Sequence, residues 1–179
     1  MIAALRAPFL FALLLAAVAA LAPALAIAAD PAMVTHRDSR HGFRLDYPGD
    51  WRPVAFKDGP EFQALANDGR GPEECNVNVT SVSGPAYLDR VTREQMLGNL
   101  RAAMKDAEFV EWRRQTLAQR WGLYYIVTGT TPRQAYKQTT LGYQVVVGAK
   151  LFTLSCSAPA AGFEARRPTF ERILASLSF

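Results

Sequence analysis

The spacing of apolar residues changes period three times along this chain, and this alternation limits the folds available to it. Residues 43–47 alternate apolar with polar side chains, the period of a half-buried strand. Over residues 97–107 apolar positions recur at steps of three and four, which is one face of a helix. A strand pattern returns over 109–158, and residues 170–177 are helical again. The order strands, helix, strands, helix predicts an α+β fold on an antiparallel sheet.

Turn and capping residues place the ends of these elements. Thr92 and Gln95 have the spacing of a capping box, so we expect a helix over residues 93–106. Pro168 is tolerated in the first turn of a helix, which predicts that the last helix starts near Arg167. Further strand patterns lie at 62–66 and 76–83. With three or four long strands in 109–158, the sheet is expected to contain about six or more strands.

The first 28 residues have the layout of a secretory signal peptide. Arg6 precedes an apolar run over residues 8–22, and an A-x-A pattern follows it. We expect cleavage after Ala26 or Ala28, an exposed lead-in over 29–42 and a single domain over 43–179. The alternative is an uncleaved membrane anchor, because the run approaches the shortest spanning length of about 17 residues. Cleavage predicts a periplasmic or extracellular protein.

The charge of the chain is mildly basic and evenly spread. The net charge is +4 with a pI near 9.3, and it falls to +3 without Arg6. No block of basic residues resembles a nucleic-acid module, so a nucleic-acid partner is not expected. The excess would suit an anionic envelope polymer, and it equally fits ordinary solubility.

Two cysteines, Cys75 and Cys156, lie in the part of the chain that would be exported. An even cysteine count in an oxidising compartment predicts a disulfide. Such a bond would close a loop of about 80 residues and contribute about 4–4.5 kcal/mol in the chain-entropy account. The alternative is a pair of buried thiols that never meet.

Metal binding is not expected from the ligand pattern. His36 and His41 are the only histidines, and with the two cysteines they would make a two-Cys, two-His set. Zinc sites show ligand pairs at short spacing, whereas these cysteines are far apart. We therefore predict neither a metal nor a cofactor.

Catalytic motifs are likewise not found in the sequence. It contains no G-x-S-x-G elbow and no Gly-rich phosphate loop. Asp46 and Asp50 would act as an acid–base pair only if the fold turned both into one cleft; a solvent-facing and a turn role fit them better. A thiol at Cys156 lies in an apolar strand, where it would be inert or oxidised. We expect no enzyme activity and name no catalytic residue.

The three tryptophans differ in what their surroundings predict. Trp51 follows a tight turn and is expected to pack beneath it. Trp112 is followed by Arg113 and Arg114, and we expect it to be the most exposed of the three, Trp121 included. Since Trp and Arg are enriched at binding hot spots, these three consecutive residues form the candidate partner surface.

Four segments carry motifs that occur in this order in one known family. Residues 42–51 (GFRLDYPGDW) fit F-x-(I/L)-x-Y-P-x-x-W, and residues 76–79 (NVNV) fit x-N-V-x-V. Residues 151–158 (LFTLSCSA) resemble the strand Y-x-L-T-x-S-A, and residues 170–179 (FERILASLSF) resemble a closing helix that ends in I-L-x-S-F. From about Phe43 to the C terminus, the chain resembles PsbP-like and DcrB-like envelope domains.

This resemblance implies an α-β-α sandwich, an antiparallel sheet with helices packed on both faces. Proteins of this fold include photosystem accessory subunits, envelope proteins, secretion-effector adaptors and a Ran-binding transport factor, which mostly bind proteins. The implied function is a non-enzymatic, protein-binding or assembly-supporting envelope domain. Alternatives are a binder of a small ligand or an anionic envelope polymer, and a hydrolase with an unrecognised site. The spacing before Phe179 departs from the family pattern, and Cys75 and Cys156 lie outside it.

Overall fold

A seven-stranded antiparallel sheet is the centre of the computed structural model, which describes residues 31–55, 57, 59–66, 73–132 and 135–179. The predicted signal peptide, 1–28, and its cleavage sites after Ala26 or Ala28 lie outside the described residues. Residues Pro31–Phe179 form one unit. Its chain order is β1 (Met33–Arg37), β2 (Arg44–Pro48), β3 (Arg52–Pro53), β4 (Phe62–Leu65), β5 (Glu74–Ser81), a 3₁₀ helix (Pro85–Arg90), α1 (Arg93–Ala103), β6 (Lys105–Leu117), β7 (Arg120–Thr130), β8 (Lys137–Val147), β9 (Lys150–Pro159) and α2 (Phe163–Ser176).

The strands of the large sheet lie in the order β3-β4-β5-β9-β8-β7-β6, so the short β3 and the long β6 are its two edges. β6 to β9 form a continuous meander, in which each strand pairs with the next along the chain. β5 inserts beside β9 and joins the meander to the N-terminal strands. An α+β fold with an antiparallel sheet of at least six strands is confirmed.

The two faces of the large sheet carry separate hydrophobic clusters, and alternate residues of β7 belong to one or the other. On β7, Tyr124 and Ile126 belong to a cluster that includes the buried residues of α2, and we call this side of the sheet the first face. Leu123, Tyr125 and Val127 belong to the other cluster, on what we call the second face. The split follows from the two-residue period of a strand, whose side chains point alternately to opposite faces.

The capping box predicted for α1 is confirmed. The Thr92 hydroxyl accepts a hydrogen bond from the backbone N–H of Gln95 (3.1 Å), and the Gln95 side chain accepts one from the N–H of Thr92 (3.0 Å). These bonds satisfy two backbone donors that the first turn of a helix cannot. The helix ends at Ala103, three residues before the predicted end, because Met104 has an extended backbone and leads into β6.

The predicted start of α2 near Arg167 is wrong, since the helix begins at Phe163 and contains Pro168 in its interior. Tertiary packing accounts for the difference. Phe163 is buried and lies 5.8 Å from the ring of Phe170, so the turn before the proline is held on the first face. Pro168 has no backbone N–H, so one hydrogen bond of the helix is not made. Losing that bond costs less free energy than losing the packing of Phe163 would.

The predicted lead-in, residues 29–42, contains an ordered strand in its described part. β1 pairs antiparallel with β2 over Met33 to Arg37 in a separate two-stranded sheet. Most of its side chains are exposed, but Met33 packs against the first-face cluster. A backbone bridge between Arg44 and Ser178 connects β2 to the C terminus. The strand was not predicted because the segment is polar, whereas the pairing of β1 with β2 depends on backbone hydrogen bonds.

Candidate functional site

The two cysteines lie directly opposite each other on neighbouring strands. Cys75 of β5 pairs with Cys156 of β9, and their Cα atoms are 4.0 Å apart. The structure joins them by a disulfide across 81 residues of sequence, and both are fully buried on the first face. The bond holds β5, which comes early in the chain, against the C-terminal strand of the meander. It serves the fold, since neither sulfur is accessible for chemistry.

The two histidines considered as metal ligands contact other residues than the cysteines. His36 lies between the rings of Phe62 (4.6 Å) and Phe43 (5.7 Å), and burial lowers its pKa despite the opposing effect of nearby Asp38. His41 Nε2 lies 3.2 Å from Glu61. Across the described ranges, no group of three or more His, Cys, Asp or Glu side chains could hold a metal ion.

The carboxylates weighed as an acid–base pair have structural contacts. Asp46 accepts a hydrogen bond from the Thr35 hydroxyl at 2.6 Å, and its backbone N–H donates to Ser176 of α2 at 2.8 Å. Asp50 is exposed in the turn after β2, where the backbone N–H of Trp51 bonds to Pro48. Trp51 itself is buried and packs edge-on against Phe170, as predicted.

The exposure predicted for the tryptophans is reversed in the structure. Trp112 of β6 is half-buried on the second face, where its ring lies 5.0 Å from Phe109 and 6.4 Å from Tyr125. Trp121, at the start of β7, is 37% exposed, and the guanidinium of Arg114 stacks over its ring at 4.9 Å. Strand alternation leaves Trp112 and Arg114 on the second face and sends Arg113 to the first. Trp112 packs into the second-face cluster, and the pairing of β6 with β7 brings Arg114 to Trp121.

On the first face, Arg113 belongs to a group of charges that connects β6 to α2. Its guanidinium lies 3.8 Å from the centre of the Tyr124 ring and forms an ion pair with Glu111. Glu111 also pairs with Arg167 of α2 at 2.5 Å, and Arg167 bonds Glu171 at 2.9 Å. The bond to Glu171 raises the pKa of Arg167 above its usual range. Arg113 is therefore engaged within the fold, whereas Arg114 is exposed and stacks on the Trp121 ring.

A cleft of about 600 Å³ opens on the second face between the sheet, the 3₁₀ helix and α1. Its floor is apolar or aromatic and comes from Tyr87, Val91, Met96, Leu100 and Tyr125. Its polar groups come from Ser83, Arg90, Gln95, Asn99 and Gln144. Gln95 and Asn99 project from the same side of α1, one turn apart. The cleft falls in the size range of small-molecule sites, about 300–1,000 Å³.

Two tyrosines of neighbouring strands lie over glycines on opposite faces of the sheet, and one of them, Tyr125, lines this cleft. A Cβ atom at Gly142 of β8 would come within 2.0 Å of the Tyr125 ring, so only glycine leaves room for it. Gly122 of β7 does the same for Tyr143 on the first face, at 2.7 Å. Burial raises the pKa of Tyr125 to about 12, while Ser155 acts to lower it. The Tyr125 hydroxyl is therefore neutral in the fold well beyond neutral pH.

Beside the cleft, the second face carries a group of neutral polar side chains. Asn76 and Asn78 of β5 alternate with buried Cys75 and Val77, and Thr153 and Ser155 of β9 alternate with buried residues in the same way. With Gln144 these residues form what we call the polar platform, which consists of Asn76, Asn78, Gln144, Thr153 and Ser155. The register places Asn78 opposite Thr153, and Thr153 opposite Gln144.

The polar platform was missed from the sequence. The pattern NVNV at residues 76–79 was interpreted only through its valines, which identify a strand. The two asparagines of the pattern predict a polar face as well, because residues two apart in a strand lie on the same face. The sequence does not indicate which strand lies beside these asparagines. Thr153 comes next to Asn78 only because β5 pairs with β9.

Similarity to known proteins agrees with this architecture. The family model of PsbP matches residues 31–179, which is the whole described unit. The chain belongs to the PsbP family. The match begins twelve residues before the resemblance seen in the sequence, and it therefore includes β1. No curated protein matches the chain.

Two solved structures share the fold of this PsbP-family chain at low sequence identity. Cyanobacterial PsbP (CyanoP) from Synechocystis sp. PCC 6803 superposes with a TM-score of 0.66 at 13% identity, covering 82% of this chain and 91% of CyanoP. LpqN of Mycobacterium tuberculosis, described as involved in cell envelope biogenesis, gives a TM-score of 0.62 at 13% identity, covering 82% of this chain and 90% of LpqN. At this identity the likeness establishes the fold alone.

Proposed function

We propose that this chain is an exported, non-enzymatic domain of the cell envelope that binds a partner protein along strand β6. Its PsbP-family membership and the envelope role stated for LpqN support the setting. The Cys75–Cys156 disulfide fits an oxidising compartment. Neither helix of the described part has the length and hydropathy needed to cross a membrane. Export would follow from the signal peptide over 1–28, which leaves the domain over 43–179 with its preceding strand β1.

The proposal depends most on the position of β6 at the edge of the sheet. Within the described part of the chain, β6 pairs only with β7, so its other backbone edge is unpaired. The first part of the strand has two register irregularities, between Lys105 and Glu108 and between Phe109 and Glu111. Residues 111–117 then pair regularly with β7. Bulges hinder strand addition, and a regular edge permits it, so residues 111–117 are the segment that an extended partner would pair with.

The side chains beside this edge suit a protein partner. The predicted partner surface of Trp112, Arg113 and Arg114 keeps Arg114, loses Trp112 to the second-face cluster and gains Trp121. The stacked pair of Arg114 and Trp121 presents a cation and a large apolar ring together, the combination enriched at binding hot spots. We propose that the partner contributes an extended segment with a carboxylate near Arg114.

The α-β-α sandwich implied by the family resemblance remains part of this proposal. Phe170 and Ile173 of α2 belong to the first-face cluster. Leu88 of the 3₁₀ helix and Met96 of α1 belong to the second-face cluster. These memberships support helices packed on both faces of the sheet.

Site-specific photocrosslinking in the native host tests the partner surface. A photoreactive phenylalanine at position 116, an exposed threonine of β6 opposite Trp121, is expected to capture a discrete protein adduct. The same residue at position 175, an exposed alanine of α2, serves as the matched control and is expected to capture none. Arg114→Ala in the position-116 protein should reduce the adduct several-fold. An adduct of equal yield from position 175, or none from position 116, would contradict the proposal.

The cleft supports a second candidate function, the binding of a small ligand. It brings an arginine, three side-chain amides and two tyrosines around one volume. Its neutral polar and aromatic lining suits a different class of ligand from the edge of β6.

A further inference from the structure

The polar platform and the cleft form one continuous surface that is rich in hydrogen-bonding groups and free of charge over most of its extent. Gln144 belongs to both, because it lines the cleft and pairs across the sheet with Thr153. A row of three side chains, Asn78, Thr153 and Gln144, therefore runs from the open sheet to the cleft. Neighbouring strands are about 4.8 Å apart, so this row offers polar groups at regular intervals over about 10 Å.

The side chains on this surface can both donate and accept hydrogen bonds. Amides and hydroxyls have this dual capacity, and it is what the hydroxyl groups of a polyol require. Asn99 and Gln144 make no side-chain hydrogen bond with any other described residue, so their amides are available to a ligand. Asn78 donates to Asn76 at 2.9 Å, which aligns the two amides along the strand.

One tyrosine ring in the cleft is open enough for a sugar ring to pack against. Tyr87 is half-buried and lines the cleft, whereas Tyr125 is only 4% exposed and lies over Gly142, where it supports the lining. An amphipathic ligand whose rings have an apolar face and a polar rim matches this combination of one accessible aromatic ring and several amides. We propose that the cleft and the polar platform bind a neutral oligosaccharide.

Charge argues against an anionic polymer on the same surface. The five residues of the polar platform are all uncharged. Among the described residues that line the cleft, Arg90 is the one cation, and it donates a hydrogen bond to Ser83 (3.0 Å). Binding of a polyanion relies on several cations acting together. The exposed large hydrophobic residues of the described part, Val34, Val110, Trp121 and Phe179, lie off the polar platform, so a protein interface is not favoured there either.

Titration followed by ¹H–¹⁵N NMR tests the proposal on the full chain after its processing by the host. The probes are the neutral hexasaccharides maltohexaose, cellohexaose and chitohexaose, with hexagalacturonate as the acidic probe of equal length. At least one neutral probe is expected to shift the signals of Asn78, Asn99 and Gln144 in a saturable manner. Its affinity should be the same at low and high salt, because no ion pair forms.

Variants locate the binding on this surface. Gln144→Ala is expected to weaken the neutral probe about three- to tenfold, the factor that a net hydrogen bond is worth. Asn78→Ala, at a fully exposed position, should act in the same direction without affecting the fold. Glu94→Gln lies on α1 outside the cleft and is the matched control, with unchanged affinity.

Several results would overturn the inference. Tighter binding of hexagalacturonate, falling with salt, would make the surface an anion site. Saturable shifts confined to other elements, or no shift from any neutral probe, would remove the oligosaccharide. Affinity that Gln144→Ala and Asn78→Ala both leave unchanged would remove this surface. None of these outcomes depends on the partner proposed for β6.

Discussion

The two faces of the sheet are built from alternate residues of the same strands, and they differ in what covers them. On the first face, every strand from β4 to β9 apart from the edge strand β6 contributes fully buried residues to one cluster with α2. In the second-face cluster, residues of the 3₁₀ helix and α1 join residues of β6 and β7. Over β5 and β9 the second face carries polar side chains, and Asn78 and Thr80 there are exposed.

This difference separates the residues that hold the fold from the residues available for binding. Burial of apolar area is the main favourable term in folding, and the first face holds most of it. The open part of the second face contributes little by comparison, so its side chains can be chosen for a ligand. Substitutions on the two faces should therefore move stability and binding independently.

The largest effect is expected from Phe170→Ala on the first face. Phe170 is fully buried and its ring contacts Trp51 and Phe163, so truncation leaves a cavity beneath α2. We expect a loss of about 3–5 kcal/mol in the free energy of unfolding, measured by urea denaturation. The matched change on the second face, Asn78→Ala, should stay within about 0.5 kcal/mol. Equal losses from both variants would mean that the two faces do not differ as described.

The disulfide on the first face is expected to contribute the next largest share of stability. Replacing both Cys75 and Cys156 by alanine is expected to cost about 2–5 kcal/mol, since the bond closes a long loop between β5 and β9. Thiol labelling of the denatured, unreduced protein should find no free thiol. Two labelled thiols per chain would show that the pair is reduced, and the stability loss should then shrink to that of the lost side-chain volume.

A smaller effect is expected where the second face meets the cleft. Gly142→Ala would place a Cβ atom 2.0 Å from the Tyr125 ring and force that ring to move. We expect a loss of about 1–3 kcal/mol, the usual cost of overpacking. Tyr125→Leu in the same chain should recover part of it, giving a non-additive pair in a double-mutant cycle. Strictly additive losses would show that the ring does not occupy this position.

The sequence predicted the fold class and the helix cap because these depend on local pattern. The capping box needs only Thr92 and Gln95, three residues apart, and it formed as expected. The start of α2 could not be predicted in this way, because the burial of Phe163 against Phe170 outweighs the local preference of Pro168. Local rules fail where a contact distant in sequence supplies more free energy.

The candidate surfaces show the same limit. Trp112 and its arginines were selected from their adjacency in sequence, yet adjacent residues of a strand point to opposite faces. Arg114 meets Trp121 because β6 and β7 pair, and Asn78 meets Thr153 because β5 and β9 pair. Both surfaces arise from register, which a single sequence specifies only through the buried side chains of the opposite face.

The smallest effect concerns the one histidine packed among first-face aromatics. Burial lowers the pKa of His36 below its ordinary value of 6.5, so the folded state binds fewer protons than the unfolded chain. Stability should therefore be unaffected by His36 above about pH 7.5, fall as the pH drops through about 6.5, and level off below the lowered pKa. His36→Phe keeps a ring between Phe43 and Phe62 and removes the titration. The difference in unfolding free energy between the two proteins should shift toward the variant as the pH falls from about 7.5 to about 5. A pH-independent difference would mean that His36 is solvated as freely as the polar side chains of the second face.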